Sequence, residues 1–293
     1  MTGKIALLHP VTVGSSQIAG VFDVSVLAGE NVVRPTADGA IDPFLAMLVG
    51  IDPRVQFSTY DLKAGLDVTS LSPVAGAIEA FDAVIGVDGV KAASGAVRYN
   101  AANAVTFPRS VSLTQDQPAT ATFETIVTGS DFTVATGATL SAFAAVGRDV
   151  FFGLGPLSVN GSAITGVTSI SLDYAVQEFL LRADGNIATN AVAAIERIPI
   201  VTITAFPDSG ISAFGVQAAL DGDDGLEFFA RKRTRVGYVG DATAEHVKFQ
   251  MKNGIIKRSN TSGSPRVITY TVYPDRTTAD AIMTVNTATA ISA

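Results

Sequence analysis

Residues 10–27 read PVTVGSSQIAGVFDVSVL, and 146 positions later residues 156–173 read PLSVNGSAITGVTSISLD. Pro10, Val13, Ser16, Ile18, Gly20, Val21 and Ser25 return as Pro156, Val159, Ser162, Ile164, Gly166, Val167 and Ser171. The register then runs on without a gap. Ala37-Asp38-Gly39 returns as Ala183-Asp184-Gly185, and Ile41, Pro53 and Val55 as Ile187, Pro199 and Val201. That makes 13 identities over the 49 positions 10–58, where unrelated segments of this composition would share about 3 or 4. Beyond Ser58 small gaps are needed. Residues 78–81 then sit against 226–229, 97–99 against 247–249, Asn103 against Asn253, and Thr122-Phe123 against Thr269-Tyr270. A period of half the chain predicts two tandem domains, 1–146 and 147–293, with the boundary near Ala145 to Arg148.

Within each copy the strand signals dominate. Val21 to Leu27, Val55 to Tyr60, Ala119 to Val127, Ile200 to Phe206 (IVTITAF) and Val267 to Tyr273 (VITYTVY) are β-branched or aromatic with a period near two. Asp38-Gly39, Asp184-Gly185, Asp88-Gly89 and Asn253-Gly254 suit tight hairpin turns, because Gly tolerates positive φ. Asn160 to Ser162 and Asn260 to Ser262 also read as turns. Phe44 to Ile51 and Phe151 to Leu157 read as buried strands or core, Phe44 to Gly50 and Ala191 to Ile198 being open between helix and strand. One short helix is expected per copy, at Val74 to Val84 and at Leu226 to Arg233, where apolar residues fall at helical spacing. The expected class is mainly β: two tandem β-sandwich or barrel domains of six to eight strands, each with a short α-helix.

Composition narrows the function. The 293 residues are 47% hydrophobic and only 16% charged. This excludes a disordered chain and favours one that hides part of its surface in an assembly. Twenty basic against 27 acidic side chains give a net charge of −7, a poor basis for gripping nucleic acid. It does not oppose a surface past which DNA slides. No Cys is present, so disulfides, thiolate chemistry and Cys-based zinc sites are absent. No apolar run reaches the ~18 residues of a membrane helix. The start of the chain is not expected to be a targeting segment, its apolar stretch being cut at His9 and Pro10.

Catalytic signals are sparse. His9 and His246 do not correspond at the repeat spacing, and no nucleophile elbow, P-loop or paired-histidine metal motif is present. Neither catalysis nor a cofactor is expected. The Asp221 to Asp224 cluster with Glu227 reads as an acidic turn before a helix, without the ligand order of an EF-hand. Arg231, Lys232, Arg233 and Arg235 form the one basic run and read as a helix end or one side of a subunit contact. The halves are unequal, with 7 basic and 13 acidic residues in 1–146 against 13 and 14 in 147–293. A repeated interface that pairs acid with base would use that difference.

The order of a strand at Val167 to Leu172, Ala183-Asp184-Gly185, an apolar segment ending at Pro199 and a Thr-rich strand at Val201 to Thr204 resembles the tube-forming, or major tail, proteins of long-tailed bacteriophages. Residues 20–60 carry the same order, so the resemblance covers about 40 residues in each half. It implies a structural virion protein of the phage tail, made in the host cytoplasm. Its partners would be further copies of itself, the tape measure, tail-tip and terminator proteins, and double-stranded DNA passing transiently through a negative lumen. Two fused domains imply trimeric rings of pseudo-sixfold symmetry, closed by heterologous contacts. Asp38, Gly39, Asp184 and Gly185 would be turn positions of hairpins that touch neighbouring subunits or rings. Two other readings compete: another virion assembly protein, such as a capsid decoration or tail-completion subunit, and a carbohydrate-binding β protein. The last wants paired carboxylates and aromatic platforms, and no Trp is present.

Overall fold

The computed structural model describes residues 11–27, 29–34, 46–69, 79–85, 96–129, 132–138, 151–206, 217–220, 222–234, 236–262, 267–276 and 281–291. The chain is mainly β. Its first half runs β1 (Val11–Val13), β2 (Ser16–Ile18), β3 (Val21–Leu27), β4 (Glu30–Val33), β5 (Met47–Ile51), β6 (Arg54–Thr59), α1 (Leu62–Val68), β7 (Glu79–Ile85), β8 (Ala96–Thr114), β9 (Thr120–Val127) and β10 (Thr133–Ala138). Its second half runs β11 (Phe152–Val159), β12 (Ser162–Ile164), β13 (Val167–Asp173), β14 (Val176–Leu181), β15 (Ala191–Arg197), β16 (Ile200–Ala205), β17 (Gln217–Leu220), β18 (Leu226–Lys232), β19 (His246–Met251), β20 (Asn253–Ser262), β21 (Val267–Asp275) and β22 (Thr284–Thr289).

In the second half β12-β11-β18-β19-β22 form one antiparallel sheet. In the first half β2-β1-β7-β8-β10 are joined in the same order. The other sheet is β3-β6-β9-β8 in the first half and β13-β16-β21-β20-β17 in the second. The 19-residue β8 thus serves two sheets, where the second half uses two strands, β19 and β20, broken at Lys252.

The registers repeat as well as the order. Val11 faces Ile18 as Leu157 faces Ile164, and Ser25 faces Gln56 as Ser171 faces Thr202. The hairpins β4–β5 and β14–β15 carry bulges at the same place, between Asn31/Val32 and between Gln177/Glu178. Bulges in β8 between Pro108/Ser110 and in β20 between Arg258/Asn260 lie 150 residues apart. Bonds outside the ladders agree, with Tyr60 N–H donating to Gly20 C=O and Phe206 N–H to Gly166 C=O. Gly14 N–H donates to Ala80 C=O and Asn160 N–H to Gly225 C=O. Together with the β7–β8 and β18–β19 registers, this sets Phe81 against Leu226. Residues 78–81 therefore do not match 226–229 as the sequence comparison had it.

The helix expectations are overturned. Leu226–Lys232 is strand β18, and residues 79–84 belong to β7; 74–78 lie outside the described residues. The described α-helix is α1, seven residues long and upstream of both predicted positions, while Gly222–Asp224 is a 3₁₀ turn. The apolar spacing that suggested helices also fits period two. Phe81 and Ala83 are buried on one side of β7, as are Leu226, Phe228 and Ala230 on β18, and central pairing decides the outcome. Three further expectations fail. Asn253-Gly254 starts β20 rather than a hairpin, Asn260–Ser262 lies inside β20, and Met47, Leu48 and Val49 are exposed. Of the two open segments, one is strand β15 and the other holds strand β5, its Phe44 and Leu45 lying outside the described residues. Asn160-Gly161, with φ of 49° and 71°, does turn the β11–β12 hairpin. The expected boundary near Ala145 to Arg148 lies outside the described residues, as do Asp88 and Gly89.

Alternation places the core. β6 and β9 bury Val55 and Phe57 and Ala121 and Phe123, and the Phe57 and Phe123 rings stack 5.4 Å apart. Helix α1 is capped by Asp61, whose Oδ1 accepts from Ala64 N–H at 3.1 Å. It buries Leu62 and Leu66. Gly65 meets the Phe123 ring so closely that a Cβ would stand 2.5 Å from Cζ. In the second half Phe228 and Phe249 stack 4.7 Å apart. Gly65→Val should destabilise the fold by about 2–3 kcal/mol, since a packed ring cannot yield and the gain in helix propensity is only a few tenths of a kcal/mol. Urea denaturation measures this, and an unchanged midpoint would contradict the packing.

Candidate assembly interface

Where the halves meet, the sheet does not stop. β13 pairs β16 on one edge and β8 on the other, with Ser169, Ile170, Ser171, Leu172 and Asp173 opposite Thr114, Leu113, Ser112, Val111 and Ser110. Tyr174 N–H donates to Arg109 C=O at 2.9 Å and Gln115 N–H to Thr168 C=O at 2.8 Å, closing the two ends. The seam joins one edge of the first half to a different edge of the second, the geometry of a head-to-tail joint.

The β14–β15 hairpin continues from β13 and lies over the first half. Its Ile187 C=O accepts from Ile51 N–H at 2.8 Å, and Thr189 C=O from Gly129 N–H at 2.6 Å. Asp52 accepts from both Arg182 and Thr189 of the second half. Beneath them Gly50 leaves room for Arg182, whose Cζ would be 2.8 Å from a Cβ there.

A quartet of charges spans the same joint. Arg54 Nη1 donates to Glu124 Oε1 at 3.0 Å and to Glu178 Oε1 at 2.6 Å. Arg109 Nη2 donates to Glu178 Oε2 at 3.1 Å, and Arg109 Nε to Glu124 Oε2 at 2.5 Å. Arg109 Nη1 also donates to Val176 C=O at 2.7 Å. Arg109 is the extra residue of the β8 bulge, which turns its side chain toward β14. Three members come from the first half and only Glu178 from the second. The four side chains are 16–25% exposed, so each bond works in a partly dehydrated site. Burial disfavours the Glu178 carboxylate, yet the hydrogen bonds and charges of Arg54 and Arg109 outweigh it and hold its carboxyl below the ordinary range.

Of the residues expected from sequence to make contacts, Asp184 and Gly185 form a tight turn in the loop between β14 and β15. Their φ values are 58° and 73°, and Asn186 N–H donates to Ala183 C=O at 3.0 Å. Asp38, Gly39 and Arg235 lie outside the described residues. Arg231 and Lys232 end strand β18, not a helix, and pair inside their own half, with Asp241 at 2.7 Å and Glu245 at 3.4 Å. Arg233 and Arg231 lie over the Tyr238 ring, 5.4 and 4.8 Å from its centroid. The described part of this run takes no part in the β8–β13 pairing, although Lys232 lies beside Phe152, whose C=O accepts from Ala119 N–H of the first half. The quartet was not singled out from sequence. Its trace there was a mismatch between copies, since Arg54 falls opposite Ile200 and Glu178 opposite Val32 at the 146 spacing.

The remaining polar groups have local duties. His246 is fully buried, its Nδ1 accepting from Lys232 N–H at 3.0 Å and its Nε2 lying 3.2 Å from Gly240 C=O. Both ring nitrogens are thus occupied in a neutral tautomer. Asp223 pairs with Lys252 and Glu227 with Lys248, each at 2.5 Å. Among the described residues no three His, Asp or Glu side chains converge as a metal site would need. No described helix is long and apolar enough to cross a membrane. No protein-family model matches the chain, and no curated protein matches it in sequence.

Glu178→Gln should lower stability at pH 7 by about 1–3 kcal/mol, less than a fully buried pair would cost because the groups keep some solvent contact. A carboxyl lowered by folding stabilises fully above its unfolded value of about 4.3 and loses that contribution as pH falls through the folded value. The gap between wild type and Glu178→Gln should therefore close on acidification below about pH 4. Urea titrations at both pH values measure it, and a gap independent of pH would contradict the quartet.

Proposed function

We propose that the protein is a structural virion subunit that polymerises into the tail tube of a bacteriophage. Three chains form a ring of pseudo-sixfold symmetry, and the rings stack around a passage for DNA. In this reading the chain is a duplicated β-sandwich module, one copy in 1–146 and the other in 147–293. The observation that carries it is the seam: two halves with matching registers share one continuous sheet through different edges. A joint of that kind repeats in one direction and closes into a ring when the rotation permits. An exposed apolar surface on the β4–β5 hairpin supports further burial in an assembly: Val32, Val33, Met47, Leu48 and Val49 are 38–47% exposed. The net charge of −7 suits a wall past which DNA moves without adhering.

Negative-stain images and native mass spectra of the purified full chain test the proposal. Rings with a mass of three chains, stacking into hollow tubes as concentration rises, are the expected outcome. Monodisperse monomers from dilute to concentrated solution would overturn it. Single rings that never stack would point instead to a tail-completion role, and isolated knobs to capsid decoration.

A further inference from the structure

The seam inside the chain has an unoccupied counterpart at its two ends. β13 is paired on both edges, whereas β3, its equivalent in the first half, pairs only with β6 among the described residues. β8 receives β13 along Ser110–Thr114. Among the described residues, the matching stretch of β20, from Asn260, pairs with β21 on one side, while β17 reaches only Gly254–Lys257 on the other. The two open edges are therefore those that the seam joins, carried at opposite ends of one chain.

Burial agrees. On the face of β8 and β9 next to the seam, Val105 and Ile126 pair and are 1% and 0% exposed. Their register equivalents Ile255 and Tyr273 pair in the same way but are 49% and 42% exposed. In the first half β14 lies against β8, whereas among the described residues no strand takes the equivalent place on the second half. The structural equivalent of β14–β15 is the β4–β5 hairpin, whose apolar side chains lie in solvent.

We infer that β3 of one copy adds to the free edge of β20 in the next, and that the β4–β5 hairpin of that copy covers Ile255 and Tyr273. This rests on the ring reading above and names the surface that closes the ring. Transferring the seam register sets Leu27 opposite Asn260, Val26 opposite Thr261 and Ser25 opposite Ser262.

The chemistry of the two seams differs. Arg54, Arg109, Glu124 and Glu178 correspond to Ile200, Ser259, Thr271 and Val32, and Asp52 corresponds to Ile198. The seam between copies is uncharged at all five positions. Val32 and Ile198, which are 45% and 42% exposed in the single chain, become buried there. The difference selects the partner. A β4–β5 hairpin placed on a first half would set Val32 against Arg54 and Arg109 and leave both short of a carboxylate, a costly burial. A β14–β15 hairpin placed on a second half would bury Glu178 among Ile200, Ser259 and Thr271 with no cation. First and second halves must then alternate around the ring.

The chain has no cysteine, so crosslinking reads the register directly. Facing Cα atoms across an antiparallel pair stand about 4.5–5.5 Å apart, within the range a disulfide spans. Val26→Cys with Thr261→Cys should give, on mild oxidation, reducible species of two and three chains and no larger covalent product. Either single variant should give no species of three chains. The off-register pair Val26→Cys with Ser259→Cys should give less than a tenth of the product. Val32→Asp alters a half-exposed side chain and should leave the circular dichroism of the monomer unchanged while raising the concentration needed for rings at least tenfold. If wild-type rings form but the Val26/Thr261 pair stays monomeric or closes within one chain, this interface is wrong and the ring reading stands. Unaltered assembly of Val32→Asp would likewise overturn the interface. Wild-type chains that never form rings, with no crosslink, would overturn both.

Discussion

A strand edge is a row of unpaired N–H and C=O groups, and every part of this molecule is arranged around what meets its edges. Inside the chain the C-terminal part of β8 meets β13, and the halves become one sheet. Each of those ladder bonds is worth about 1 kcal/mol net, but a buried backbone group left without one costs more than that. The edge therefore acts less as glue than as a requirement for a partner with matching register. Among the described residues two such edges lack a partner, at β3 and at the end of β20. Complementary edges at opposite ends are what the proposed ring would use.

The quartet of Arg54, Arg109, Glu124 and Glu178 refines that requirement. Its net worth over an apolar contact is small, whereas losing one member is costly because it strands the others in a partly dehydrated site. In the proposed ring that cost would disfavour a wrong neighbour. The two modules can thus keep the same backbone plan while differing at the few positions that decide which face meets which. In the proposed assembly this divergence would give two inequivalent joints, one set during folding and the other between chains.

Much of this was legible in the amino-acid sequence. The ungapped spacing of 146 survives in the strand order and in registers such as Val11–Ile18 with Leu157–Ile164 and Ser25–Gln56 with Ser171–Thr202, although the bulges of β3 and β13 differ. Asp184-Gly185 announced its turn through the positive φ that such pairs accommodate. The helices were misplaced because short apolar stretches such as Leu226-Glu227-Phe228-Phe229 satisfy helical and strand periods alike, and only neighbours on both sides settle the matter. The exposed β5 was read as core because hydropathy records what a side chain prefers, not where the fold places it. The quartet lay in residues that differ between the copies, whereas the comparison of copies searched for residues that agree.

A symmetric electron cryomicroscopy reconstruction of the assembled protein tests the central claim most directly. The account predicts six modules around the axis and six joints built by the same strand pairing. Three would carry the Arg54–Glu178 contact, alternating with three in which Val32 lies against Ile200. Joints between chains built from any strands other than β3 and β20, or halves that do not alternate around the ring, would contradict it.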